Sequence, residues 1–183
     1  MKLLLFFLFF LSYSFGEKIT TKDIINFYKN KEYRKACDYG LKIFEKFKNN
    51  EDMVSLYGVS CLKAGYVDRI GVPALLLKSS ESARTNAALF STILAQKKLL
   101  FYALFDNVDI SGLVFPETDH IISKIFTLYT QKKYIREKDI FIFNDPLKKD
   151  IKYKLILLRD ENPCKILILE LKNNIIVSTH KFW

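Results

Sequence analysis

The chain has 183 residues, half of them hydrophobic, and a formal net charge of +9. That is enough for one core or two small ones. Lysines and acids are interspersed with no arginine-rich stripe, which argues against nucleic acid as a partner. Three cysteines and two histidines stand at no metal or haem spacing, so neither a metal nor a cofactor is expected.

Residues 1–16 read as a secretory signal peptide: Met1-Lys2, the apolar run Leu3 to Leu11, then the small-x-small end Ser14-Phe15-Gly16. Cleavage is expected near Gly16-Glu17, and the competing reading is an N-terminal membrane anchor. The run from Leu3 to Leu11 is short for crossing ~30 Å of hydrocarbon, and no later apolar run is longer. The mature chain is therefore expected outside the cytoplasm, in the periplasm of a bacterial envelope. Disulfides persist in such a compartment, and an odd number of cysteines leaves at least one thiol unpaired.

Residues 17–138 carry helical periodicity. Thr20 and Asp23 form a capping pair for a first helix bearing Ile24, Ile25, Phe27 and Tyr28. After a turn at Asn30-Lys31-Glu32, a second helix is expected from Tyr33 to Phe47. A third spans roughly Asp52 to Ala64. Pro73 interrupts the next segment, and a short helix restarts there. A long pattern from Ser82 to Phe105 follows, with a turn expected at Gln96-Lys97-Lys98, and then a helix from about Glu117 to Gln131. Asn107-x-Asp109-x-Ser111-Gly112 lacks the closing glutamate of a calcium loop, with Thr118 in its place, and reads as a connector.

Residues 139–183 change to short β-rich runs: Ile140 to Phe143, Ile151 to Leu158, Lys165 to Leu171 and Ile175 to Thr179. Asn173-Asn174 is a two-residue hairpin signal. Ile151, Tyr153, Leu155 and Leu157 alternate with Lys152 and Lys154, so one face of a small antiparallel meander should be buried. The run from Ile166 to Leu169 is apolar on both sides and calls for cover, expected from the helices. The fold class is therefore α+β: antiparallel helical hairpins, then a β-meander packed on them.

Tyr33, Tyr66, Leu100 and Tyr134 each follow a polar stretch, at intervals of 33 to 34 residues. With Tyr33-x-x-Ala36, Leu56-Tyr57-Gly58 and Leu100-x-x-Ala103, this resembles degenerate tetratricopeptide repeats over roughly residues 21–134. The resemblance implies a face formed by the first helix of each unit and used to hold a protein or peptide. The residues it assigns to that face are Tyr28, Lys29, Leu62, Lys63, Thr92, Gln96, Tyr129 and Thr130. It also implies stacked second and third helices, which would bring Cys37 to Cys61 for a disulfide. Two buried free thiols are the competing reading.

The expected function is non-catalytic: protein binding or scaffolding in the bacterial envelope, with another envelope protein or peptide as partner. Two alternatives stand beside it. One is an enzyme or accessory subunit with an unrecognised site in the β region, for which Cys164, His180 and Asp160 supply no catalytic signature. The other is a binder of anionic partners or membrane surfaces through Lys132, Lys133, Lys148, Lys149, Lys152 and Lys154.

Overall fold

Helix ends give the helical layer its shape. The computed structural model describes residues 19–183, so the signal-peptide segment 1–16 lies outside the described residues. Helix α1 (Thr21–Lys29) opens with the Asp23 carboxylate accepting from the Thr20 backbone N–H and hydroxyl, both at 2.8 Å. It closes with Lys31 at φ 61°, where the Lys31 N–H donates to the Tyr28 carbonyl and the Glu32 N–H to that of Phe27. The same pair of bonds ends α4 (Glu51–Lys63) around Gly65 and α7 (Ile121–Thr130) around Lys132. This is the left-handed closure that satisfies the last helical carbonyls and reverses the chain.

The turn expected at Gln96-Lys97-Lys98 does not form. Helix α6 runs unbroken from Glu81 to Asp106. The same tripeptide does close α7 at Gln131-Lys132-Lys133, so local propensity does not decide the outcome; at 96–98 the helix continues with Lys97 held inside by its ion pair with Asp68. The helix stops only at Asn107, which adopts φ 57°. By length and composition α6 could cross a membrane, although the apolar runs alone suggested no such segment. Here it packs against α4 and α7, burying Phe90, Ile93, Leu100 and Leu104 together with Gln96 and Lys97.

The second helix is also shorter than expected. Helix α2 (Tyr33–Lys42) ends where Ile43 leaves helical geometry at φ −118°, and α3 (Phe44–Phe47) is a separate turn. After α4, a 3₁₀ turn at Val67–Ile70 leads into α5 (Gly71–Leu76). Pro73 sits in the first turn of α5, where its missing N–H costs nothing. Gly58 lets α6 close on α4: a Cβ there would meet the Phe90 ring at 2.4 Å. Cys37 and Cys61, both fully buried, form a disulfide joining α2 to α4 with Cα atoms 4.8 Å apart.

The sheet is a five-stranded antiparallel meander in sequence order: β1 (Ile135–Glu137), β2 (Ile140–Asn144), β3 (Ile151–Leu158), β4 (Lys165–Lys172) and β5 (Ile175–Phe182). It begins before residue 139, because Lys138 at φ 55° lets a two-residue turn fold β1 onto β2. Asn173 and Asn174 are both left-handed and join β4 to β5, as a type I′ hairpin requires.

One face of the sheet is buried against the helices through Phe141, Phe143, Tyr153, Leu155, Leu157, Ile166, Ile168 and Phe182. Tyr129 of α7 meets Phe141 at 5.7 Å, and Arg159 donates to the Leu104 carbonyl at 3.0 Å. Among the described residues, nothing supplies the expected cover for the other face. Its cross-strand rows read Ile142–Lys154–Leu169–Thr179 and Ile140–Ile156–Leu167–Lys181. The aliphatic residues of these rows are only half-buried, and none belongs to the core or to the apolar shell packed on it.

A polar cleft as candidate functional site

On the helix-facing side of the sheet, the apolar alternation breaks at one end. Ile166 and Ile168 are followed at the same face by Glu170, which pairs in register with Tyr153 on one side and Ser178 on the other. His180 stands in the next row, opposite Ile168. Helices close over the apolar rows but leave a cleft of about 690 Å³ above the polar ones, a size suited to a small ligand. Its walls come from the end of α4 (Leu62, Lys63), the start of α7 (His120, Lys124) and the β2–β3 turn (Asp145, Lys148).

Asp145 is the structural pin of this region. Its Oδ1 accepts from the Leu147 and Lys148 N–H groups at 2.8 and 3.0 Å, and its Oδ2 from the Tyr153 hydroxyl at 2.7 Å. The Lys124 ammonium lies 4.0 Å from the same Oδ2. Burial alone would raise the Asp145 carboxyl, but the Tyr153 hydroxyl, these N–H groups and Lys124 hold it below its ordinary value. Burial, and then the bond to Asp145, pushes the Tyr153 phenol well above its own.

The two histidines are neutral near pH 7. Burial, and then repulsion from His180, takes His120 down to about 4. His180 is lowered by burial against the opposing pull of Glu170. His120 also caps α7, its Nδ1 accepting from the Ile122 N–H at 3.2 Å. Its folded value is depressed, so the unfolded chain binds more protons between pH 6.5 and about 4. The stability it contributes is whole above that window and is lost as pH falls through it. Melting temperatures from pH 7 to 4.5 should fall less steeply for His120→Asn, which keeps a capping acceptor, than for the unmodified chain. Equal slopes would exclude His120 as the group responsible.

The Ser178 hydroxyl and His180 Nε2 are 2.9 Å apart, within nucleophile–base reach. Among the described residues no group hydrogen-bonds His180 Nδ1 to orient it, and the distance by itself defines no reaction. Among the described residues, no group of three or more His, Cys, Asp or Glu side chains could hold a metal ion.

The residues assigned to a helical binding face do not share one surface. Tyr28 and Lys63 meet around Tyr33, at 5.6 and 5.0 Å, while Lys29 is exposed and Leu62 and Lys63 reach the cleft. Thr92 is half-buried on α6. Gln96 and Thr130 are corrections, because both are buried. Gln96 lies within continuous α6 and donates to the Pro116 carbonyl at 3.3 Å, and the Thr130 hydroxyl donates to Thr127 at 3.2 Å. Tyr129 is turned into the sheet, stacked on Tyr134 at 5.1 Å.

The basic set is also divided. Lys132 pairs with Asp109 at 3.7 Å, and Lys133 and Lys149 are exposed. Lys148 lines the cleft, whereas Lys152 and Lys154 lie on the sheet's outer face. Cys164 is a free thiol donating to the Arg159 carbonyl at 3.4 Å. Sequence reasoning named Leu62, Lys63, Lys148 and His180 but assigned them to other surfaces and did not bring them together, although Glu170 at an inner-face position of an apolar strand was a readable signal.

Compared with protein-family models, curated proteins and solved structures, the chain matches none.

Proposed function

We propose that this chain is an exported, non-catalytic binding protein of the bacterial envelope, which takes an extended segment of a partner protein along β5. The observation that carries the reading is the contrast between the two edges of the sheet. Strand β1 is three residues long, with Arg136 and Glu137 in it and Lys138 beside it, the usual guards against edge pairing. Strand β5 is eight residues long and starts with Ile175, Ile176 and Val177, exposed at 70, 54 and 56%. An edge of that length, unpaired among the described residues, supplies backbone bonds for an added strand. The neighbouring outer face supplies apolar area beyond what a solvated sheet face normally carries.

The buried Cys37–Cys61 disulfide fits an oxidising compartment and so supports export. The helical hairpins serve as rigid backing. Three of their turns close alike at Lys31, Gly65 and Lys132, which fits a tetratricopeptide-like origin. Tyr28, Lys29, Leu62 and Lys63 offer a second surface on the first two hairpins.

The test is capture from envelope extract on the immobilised mature chain. A saturable partner retained by the unmodified protein should be lost by Ile175→Lys/Val177→Lys, with the melting temperature kept, because both side chains are more than half exposed. Retention of the same partner by the double variant would rule out the β5 edge.

A further inference from the structure

The cleft carries charges that its own fold leaves unused. Glu170 stands on its floor between Tyr153 and Ser178. The polar atoms of both neighbours are committed elsewhere, the Tyr153 hydroxyl to Asp145 and the Ser178 hydroxyl to His180. Among the described residues, the Glu170 carboxylate has neither a hydrogen bond nor an ion pair. The two imidazoles near it are neutral and supply no counter-charge. A half-buried carboxylate in such a place is stabilised by a cation that brings its own N–H donors.

Across the Asp145–Tyr153 hydrogen bond from Glu170 stands Lys124. Its side chain is 28% exposed and its ammonium approaches Asp145 no closer than 4.0 Å, since that carboxylate already accepts from three nearer donors. Lys124 is therefore only loosely paired and can receive an anion, with Lys148 beside it at the rim. The two anchors have opposite sign and stand on different elements, Glu170 on β4 and Lys124 on α7, with Asp145 and Tyr153 between them. Anchors on two elements suit a ligand whose charges stand apart, rather than an α-amino acid headgroup, whose ammonium and carboxylate share one carbon. Leu62, Ile121 and Leu147 supply apolar wall for what lies between the charges.

We propose that the cleft binds a primary ammonium and a carboxylate joined by an alkyl stem, with the ammonium on Glu170 and the carboxylate on Lys124. A free ω-amino acid and a lysine ending a peptide chain share this chemistry. The site uses inner-face side chains of β5, Ser178 and His180, whereas strand addition would use that strand's outer backbone edge, so either can fail without the other.

The experiment is an NMR titration of the mature chain, reading the His120 and His180 ring signals, with three probes of equal length. These are 6-aminohexanoate, hexanoate and n-hexylammonium. The two-ended probe should bind at least about tenfold more tightly than either one-ended probe, since each of those leaves one anchor charge unmet. Glu170→Gln should reduce 6-aminohexanoate to the level of hexanoate with the melting temperature unchanged. Nα-acetyl-lysine binding like 6-aminohexanoate, with its amide weaker, assigns the peptide-terminal source; binding of 6-aminohexanoate without Nα-acetyl-lysine assigns the free one. No two-ended advantage, or an unchanged affinity in Glu170→Gln, overturns the proposal. The probe comparison on the unmodified chain stands whether or not the variant folds.

Discussion

Asp68→Ala is expected to cost about 3 kcal/mol of stability, because it strands a buried ammonium. Lys97 is 1% exposed and sits over the rings of Phe101 and Trp183, at 5.5 and 5.8 Å. The Asp68 carboxylate is its ion-pair partner and also receives Lys98 at 3.2 Å. Burial lowers the Lys97 ammonium below its ordinary value, and Asp68 restores part of the loss. The folded value is depressed, so the unfolded chain holds more protons just below pH 10.5, and stability should rise with pH there. Asp68→Ala should widen that window downward. Asp68→Ala/Lys97→Met removes both charges and should recover most of the loss, since a buried pair exchanged for apolar volume is often neutral. Urea unfolding of the three chains gives the answer. A near-neutral Asp68→Ala, or a double variant no better than the single, would show that the pair does not hold α6 in place.

The second large effect is expected from the disulfide. Cys37 and Cys61 are 24 residues apart, and opening a loop of that length costs about 3 kcal/mol in the chain-entropy account. Cys37→Ala/Cys61→Ala should therefore lower the urea midpoint of the mature protein markedly. Non-reducing peptide mapping of the unmodified protein should find the two half-cystines linked. Adjacent Arg69 donates to Asp38 at 2.6 Å and lies over the Tyr66 ring at 4.2 Å. That bridge joins α2 to the 3₁₀ turn that follows α4 and would remain in the variant, so a loosened but folded helical layer is the outcome to look for.

What could be read from the sequence was what local chemistry decides. The alternation of Ile151, Tyr153, Leu155 and Leu157 against lysines became the buried and outer sides of β3. The two asparagines at 173 and 174 became a hairpin because both tolerate left-handed geometry. What could not be read depended on partners far away in the chain. Gln96-Lys97-Lys98 looked like a turn only through the 34-residue spacing, and Lys97 is kept inside by Asp68, 29 residues earlier. The three residues of β1 have no alternation of their own and become a strand by pairing with β2. Helix α7 starts at Ile121 because a histidine caps it, outside the usual Ser, Thr, Asp and Asn set. The cleft escaped notice for the same reason, since no single stretch of chain contains it.

That last property bears on when the cleft comes into being. Its walls come from α4, the start of α7, the β2–β3 turn and the last strand. Contacts of such long sequence separation form late, after the local hairpins. No nascent or truncated chain lacking β5 can display the finished site. Anything that occupies it selects the completed molecule and draws the folding equilibrium toward it by mass action. The cleft is thereby a mark of the folded chain, legible only once α4, α7 and β5 have met.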